Sequence, residues 1–93
     1  MLTYIIMSEQ QPITLPQSLQ QALIQRGITS FDEVSLRETL EHHASTYTLI
    51  KLAEWPARRW KCRYRLMMGD SMYDAQSVAE AYALALLDTL SKA

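Results

Sequence analysis

The sequence predicts an α+β fold with the element order α-α-β-β-β-α, because two kinds of hydrophobic period follow one another along the chain. Apolar residues recur at helical spacing in two N-terminal stretches and in an alanine-rich C-terminal stretch. Between them, β-branched and aromatic runs alternate with polar residues in the manner of strands. We therefore expect a three-stranded antiparallel meander with the C-terminal helix packed on one face.

Length and composition indicate one domain. The chain has 93 residues, of which 48% are hydrophobic and 20% are charged, as is typical of a globular protein. Residues 1–15 are interpreted as an extended N-terminal arm, with Met7 as a candidate native start, and residues 16–93 as the domain. The apolar start MLTYII is too short for a signal peptide or a membrane span, so no membrane partner is expected.

Two N-terminal helices are predicted from their caps and apolar stripes. The first covers residues 16–26 and ends at Gly27, a residue type that favours helix C-termini. The second covers residues 36–43, because Ser35 and Glu38 form the S-x-x-E pattern of a capping box. A similar pattern at Ser30–Glu33 suggests an extra turn just before that helix.

The three strands are predicted from runs of β-forming residues and the turns between them. The first is the run STYTLIKLA at residues 45–53, and Pro56 interrupts the pattern after it because proline lacks a donor for a β-ladder. Residues 59–68 are the clearest strand, and residues 71–75 return as the third. Ser77 and Glu80 then form a capping box that starts a helix over residues 78–91.

The hairpin between the second and third strands has a defined register. Gly69-Asp70 is a two-residue loop of the Gly-first kind. This loop pairs Met68 with Ser71, Met67 with Met72, Leu66 with Tyr73, and Arg65 with Asp74. Because side chains alternate along a strand, the C-terminal helix is expected to cover the face that holds Trp60, Cys62, Tyr64, Leu66 and Tyr73.

Basic residues are concentrated in the second strand. Five of the nine lie between Arg58 and Arg65, and the remaining four stand against ten acidic residues, which leaves a net charge of −6 elsewhere. The predicted basic row is Arg58, Arg59, Lys61, Arg63 and Arg65. Three interpretations stay open: the solvent side of a sheet covered on its other face, a surface for an acidic protein, or a surface for nucleic acid.

A second candidate surface lies beside this row. Trp55 is in the turn before the basic strand, and Met67, Met68 and Met72 crowd the hairpin tip. Methionine adapts to irregular partners, and tryptophan and arginine are common anchors of protein interfaces. These residues are therefore candidates for partner binding. The alternative is that the tip packs under the N-terminal helix.

Over residues 36–90, the order of a helix, three antiparallel strands and an alanine-rich helix resembles the topology of double-stranded-RNA-binding domains. The resemblance implies lysines at the start of the last helix, which would contact phosphates. That start reads SVAEA here, with Glu80 and no basic residue. The RNA-binding activity is therefore not transferred to this chain.

The sequence offers no pattern for catalysis, a cofactor or a metal ion. Cys62 is the only cysteine, so we expect a buried thiol and a reducing, cytoplasmic setting. His42 and His43 are adjacent at a helix end, where they suit the helix dipole better than chelation of one ion. We therefore expect a protein without enzymatic activity.

The functional hypothesis is a small accessory or inhibitor-type protein, a class common in phages and mobile elements. It would bind an acidic protein through the basic sheet face and the hairpin tip. The alternative is a nucleic-acid-binding module that uses the basic row. A homodimer formed through the hairpin tip is a further option.

Overall fold

The computed structural model describes residues 15–52 and 62–92 and confirms the predicted element order. The sheet has the strand order β1-β2-β3, with both pairs antiparallel. Within the described ranges, no helix is long and apolar enough to cross a membrane. The elements are α1 (Gln17–Gln25), α2 (Glu33–His43), β1 (Thr48–Lys51), β2 (Tyr64–Met68), β3 (Ser71–Ala75) and α3 (Val78–Lys92).

The end of α1 is fixed by Gly27, as predicted. Gly27 has a φ angle of +87°, which glycine adopts without the steric cost that a Cβ atom brings. The N–H of Ile28 donates to the carbonyl of Leu23, and that of Gly27 to the carbonyl of Ile24, both at 2.9 Å. These two bonds form a Schellman motif, which satisfies carbonyls that the helix end would leave unpaired.

The start of α2 differs from the prediction. The helix begins at Glu33 rather than at residue 36, and Asp32 is its N-cap. A carboxylate oxygen of Asp32 accepts the N–H of Ser35 at 3.0 Å, so Ser35 lies inside the first turn and its pattern with Glu38 is not a capping box. Residues 28–31 are not helical, so the predicted extra turn is also wrong. Aspartate caps a helix as well as serine does. Ser30, Asp32 and Ser35 were therefore all possible N-caps for this helix.

The hairpin has the predicted register. Met68 lies opposite Ser71, Leu66 opposite Tyr73, and Arg65 opposite Asp74. Gly69 has a φ angle of +60°, as a loop with glycine in its first position requires. Of the predicted strand at residues 59–68, positions 59–61 lie outside the described residues, as does the predicted turn at Pro56. The first strand is shorter than the run that predicted it.

Helix α3 connects the N-terminal helices to the sheet. It contacts α1, α2, β2 and β3, whereas neither α1 nor α2 contacts a strand. Three of its alanines are fully buried, Ala81, Ala83 and Ala85, which lets neighbouring elements approach its backbone closely. The predicted pair caps its start: the N–H of Glu80 donates to Ser77 Oγ at 3.1 Å. The Glu80 side chain accepts the N–H of Gln76 at 2.9 Å, one residue before the position that a capping box uses. The largest fully buried side chains are Leu23, Leu36, Leu40, Leu66 and Leu86.

Tyrosine hydroxyl groups link the layers at their margins. The hydroxyl of Tyr47 donates to Glu41 at 2.6 Å and lies 3.3 Å from the hydroxyl of Tyr82. The two rings meet edge to face with centroids 5.7 Å apart. On the other side of α3, the hydroxyl of Tyr73 donates to Asp88 at 2.5 Å. Burial, followed by hydrogen bonding to a carboxylate, raises the pKa of both Tyr47 and Tyr73.

Replacement of Gly27 tests the end of α1. Gly27→Ala is expected to lower the free energy of unfolding by about 1 kcal/mol, because alanine is strained at positive φ. A Cβ at this position would meet no atom within 4 Å, so the loss isolates the backbone term. Urea denaturation measures it, and Gly27→Asn should lose less because asparagine tolerates this conformation. Equal stability of the alanine variant would contradict the assigned geometry.

The tyrosine contacts predict a loss of stability at high pH. Because the folded-state pKa values of Tyr47 and Tyr73 are raised, their contribution is fully present below the ordinary pKa of 10.0 and is lost as the pH rises above it. The urea midpoint should therefore fall with pH in this range. The fall should be smaller in the double variant Tyr47→Phe/Tyr73→Phe, and an identical fall in both proteins would rule out the assignment.

Candidate partner-binding surface

The sheet has one covered face and one face that no described helix covers. Leu66 is fully buried on the covered face, on the side of α3. Because side chains alternate along a strand, Arg65 and Met67 project to the opposite side. Neither α1 nor α2 contacts a strand, so no helix of the described ranges lies over that side. We call this side the open face and define it as Thr48, Ile50, Arg65, Met67, Met72 and Asp74.

The register arranges the open face in two rows across the three strands. Thr48, Met67 and Met72 form the row nearer the hairpin loop, and Ile50, Arg65 and Asp74 form the next one. Met72 is 60% exposed and Ile50 is 38% exposed. Both are large apolar side chains that the described part of the fold leaves in contact with solvent, one in each row.

The centre of the open face holds an ion pair. Arg65 donates from Nε to Asp74 Oδ1 at 2.7 Å and from Nη2 to Oδ2 at 3.1 Å. The hydrogen bonds that Arg65 donates to Asp74 raise the pKa of the Arg65 guanidinium. Both side chains are about one-third exposed, so solvent screens the pair and limits its contribution to stability. The sequence predicted this cross-strand pair correctly.

The three methionines of the hairpin tip lie on different sides of the sheet. Met67 and Met72 are cross-strand neighbours on the open face. Met68 packs against the hydrophobic core instead, because consecutive strand residues point in opposite directions. Helix α1 does not cover the tip, since α1 contacts α3 and no strand.

Arg63 and Arg65 have different neighbours. The N–H of Arg63 donates to the carbonyl of Ala75 at 2.9 Å, although the register places Ala75 opposite Tyr64. Arg63 therefore lies just before β2 and bonds one residue out of the register of that strand. Arg63 lines a cleft together with Tyr64 and the first residues of α2 and α3, whereas Arg65 lies in the middle of the open face.

Several candidate residues lie outside the described residues. They are Trp55, Arg58, Arg59 and Lys61, so the partner role of these four stays a prediction from sequence. Cys62 was expected to be buried and is only half-buried. It contributes a minor part of the raised pKa of Arg65.

The described residues include no candidate metal site. Within the described ranges, no group of three His, Cys, Asp or Glu side chains could hold a metal ion. His42 and His43 are exposed in the last turn of α2.

Thr48 and Ile50 were not among the candidate residues, although their pairing with β2 places them on the open face. Residues 52–63 separate β1 from β2 in the sequence, so no two-residue loop fixed that pairing.

Comparison with known proteins adds no functional information. No family model, no curated protein and no solved structure matches the chain.

Proposed function

We propose that this protein is a small, non-catalytic accessory or inhibitor-type protein that binds another protein through its open face. One observation supports the proposal most directly. The open face presents Met72 and Ile50, both exposed, beside a centrally placed arginine, and no described helix covers it. Such a combination is typical of the core of a protein interface, where methionine and arginine are enriched.

The partner is proposed to be acidic. Five of the nine basic residues lie between Arg58 and Arg65, while the rest of the chain is acidic. Two members of this basic row are described: Arg63 lies just before β2, and Arg65 lies on the open face. In this proposal, apolar side chains of the partner pack on Met67 and Met72, and its acidic groups meet the basic run. Complementary charge of this kind raises the association rate and selects the partner.

Nucleic acid is the alternative ligand, and the basic run is the feature that favours it. Residues on one face of a strand repeat at about 6.6 Å, near the spacing of phosphates in an extended strand. Two features favour a protein instead. Arg65 already donates two hydrogen bonds to Asp74. The methionine side chains beside it have neither a hydrogen-bond donor nor a positive charge with which to bind a phosphate. We also propose a cytoplasmic setting, since the one cysteine suits a reducing compartment.

Charge introduced at Met72 tests the protein-binding proposal. The tagged full chain is used to capture partners from an extract of its source organism after nuclease treatment, and each captured protein is then titrated in purified form. Met72→Glu should weaken binding at least about tenfold, as expected for a residue at the centre of an interface.

A matched control separates this effect from a general loss of solubility or fold. Ile24 on α1 is also a large exposed apolar residue, at 52% against 60% for Met72, and it lies away from the sheet. Ile24→Glu should bind like the native chain. Equal loss in both variants would contradict the assignment of the open face.

Salt dependence separates the two ligand classes. If nucleic acid is the ligand, the logarithm of affinity should fall with the logarithm of salt concentration at a slope of several units. Capture that disappears after nuclease treatment, together with such a slope, would replace the protein-binding proposal by the alternative. Self-association of the purified chain that Met72→Glu abolishes would instead identify a second copy as the partner.

A further inference from the structure

A cleft lies at the end of the fold where α2, β2 and α3 all begin. Its volume is about 430 Å³, and its lining comes from the start of each of these three elements. Small-molecule sites commonly have volumes of roughly 300–1,000 Å³. The cleft is therefore large enough for a ligand the size of an amino acid.

The packing of α3 explains why the cleft exists. Helix α3 contacts both α2 and β2, but α2 contacts no strand. The two elements therefore flank α3 without meeting. The cleft lies between them at the first turn of α3, whose Val78 and Ala79 are among its lining residues.

The two sides of the cleft carry opposite charge. Asp32 and Glu33 line it from α2, and Arg63 lines it from the start of β2. All three residues are exposed. None of the ion pairs in the described ranges involves any of them. The hydrogen bond from the Ser35 N–H lowers the pKa of Asp32, so its carboxylate stays ionised at neutral pH.

Between the charges, the lining is largely apolar. Phe31 and Tyr64 line the cleft beside Val78 and Ala79, and each of the four is only half-buried. Contact with an apolar group would remove more of this surface from water, which is favourable in proportion to the area covered.

We propose that this cleft binds a small zwitterion with an apolar side chain, of the chemical class of the apolar amino acids. The ligand's carboxylate would contact Arg63, its ammonium group would contact Asp32 and Glu33, and its side chain would pack on Phe31 and Val78. A ligand with a single charge would leave the opposite wall unmatched. The cleft contains no residue of the open face, and Arg63 is the one basic residue that it shares with the basic row of the partner proposal.

Titration with three related compounds tests the charge requirement. The amide resonances of the ¹⁵N-labelled full chain are followed while L-phenylalanine is added. Saturable shifts are expected at residues 32–33 and 76–79. N-acetyl-L-phenylalanine lacks the ammonium charge and L-phenylalanine amide lacks the carboxylate. Each should bind at least about tenfold more weakly, since a hydrogen bond to a charged group is worth that much or more.

Substitutions assign the two charges to their walls. Arg63→Gln should weaken binding of L-phenylalanine by about tenfold or more, and Arg63→Lys, which keeps the charge, should recover part of it. Asp32→Asn with Glu33→Gln should weaken it likewise, and asparagine preserves the helix cap. Lys51→Gln and Glu38→Gln are the controls. They remove an exposed charge of each sign outside the cleft, and both should bind like the native chain.

Three outcomes would overturn the proposal. The first is the absence of any saturable shift with L-phenylalanine up to its solubility limit. The second is equal binding of the analogues, which would make the cleft an apolar contact only. The third is equal loss in the cleft variants and their controls. Loss of partner binding in the Met72→Glu variant leaves the zwitterion titration unchanged, so the two proposals fail independently.

Discussion

The packing of α3 against its neighbours is the interaction on which the rest of the structure depends. Helix α3 is the element that joins the two N-terminal helices to the sheet, because α1 and α2 contact it and no strand. Its fully buried residues include Ala81, Ala83, Ala85 and Leu86, so both sides of the helix are apolar and closely approached. Because α3 lies between the sheet and the two N-terminal helices, neither of those helices covers the other face of the sheet. The uncovered sheet face and the cleft above the first turn of α3 both follow from this arrangement.

Local signals explain what could be predicted from the sequence. The hairpin register follows from a two-residue loop and from strand alternation, the end of α1 from one glycine, and the start of α3 from a capping box. Each signal acts over five residues or fewer. The start of α2 was predicted wrongly because Ser30, Asp32 and Ser35 have nearly equal capping preference, and Asp32 is the residue that caps the helix. Long-range features had no comparable signal: these are the pairing of β1 with β2 and the hydrogen bond of Arg63 out of the β2 register.

The same reasoning explains how far the candidate site could be predicted. Alternation alone places Met67 and Met68 on opposite faces, so the grouping of three methionines at one tip neglected the pleat. The basic row assumed one strand from residue 59 to residue 65, but β2 begins at Tyr64 and Arg63 bonds one residue out of its register. The two described arginines of the basic row therefore lie at two different sites. Arg65 lies on the open face beside apolar side chains, and Arg63 lies in the cleft opposite two carboxylates.

Oxidation of the hairpin methionines tests most directly whether the sheet has one sealed and one open face. Met72 is 60% exposed, whereas Met68 packs against the core, and methionine oxidises according to its exposure to solvent. Peptide mapping after brief treatment with hydrogen peroxide should show Met72 converted to the sulfoxide nearly as fast as in the urea-unfolded chain, and Met68, which is partly buried, converted more slowly. Equal protection of both would mean that something covers the second face, and would contradict the account.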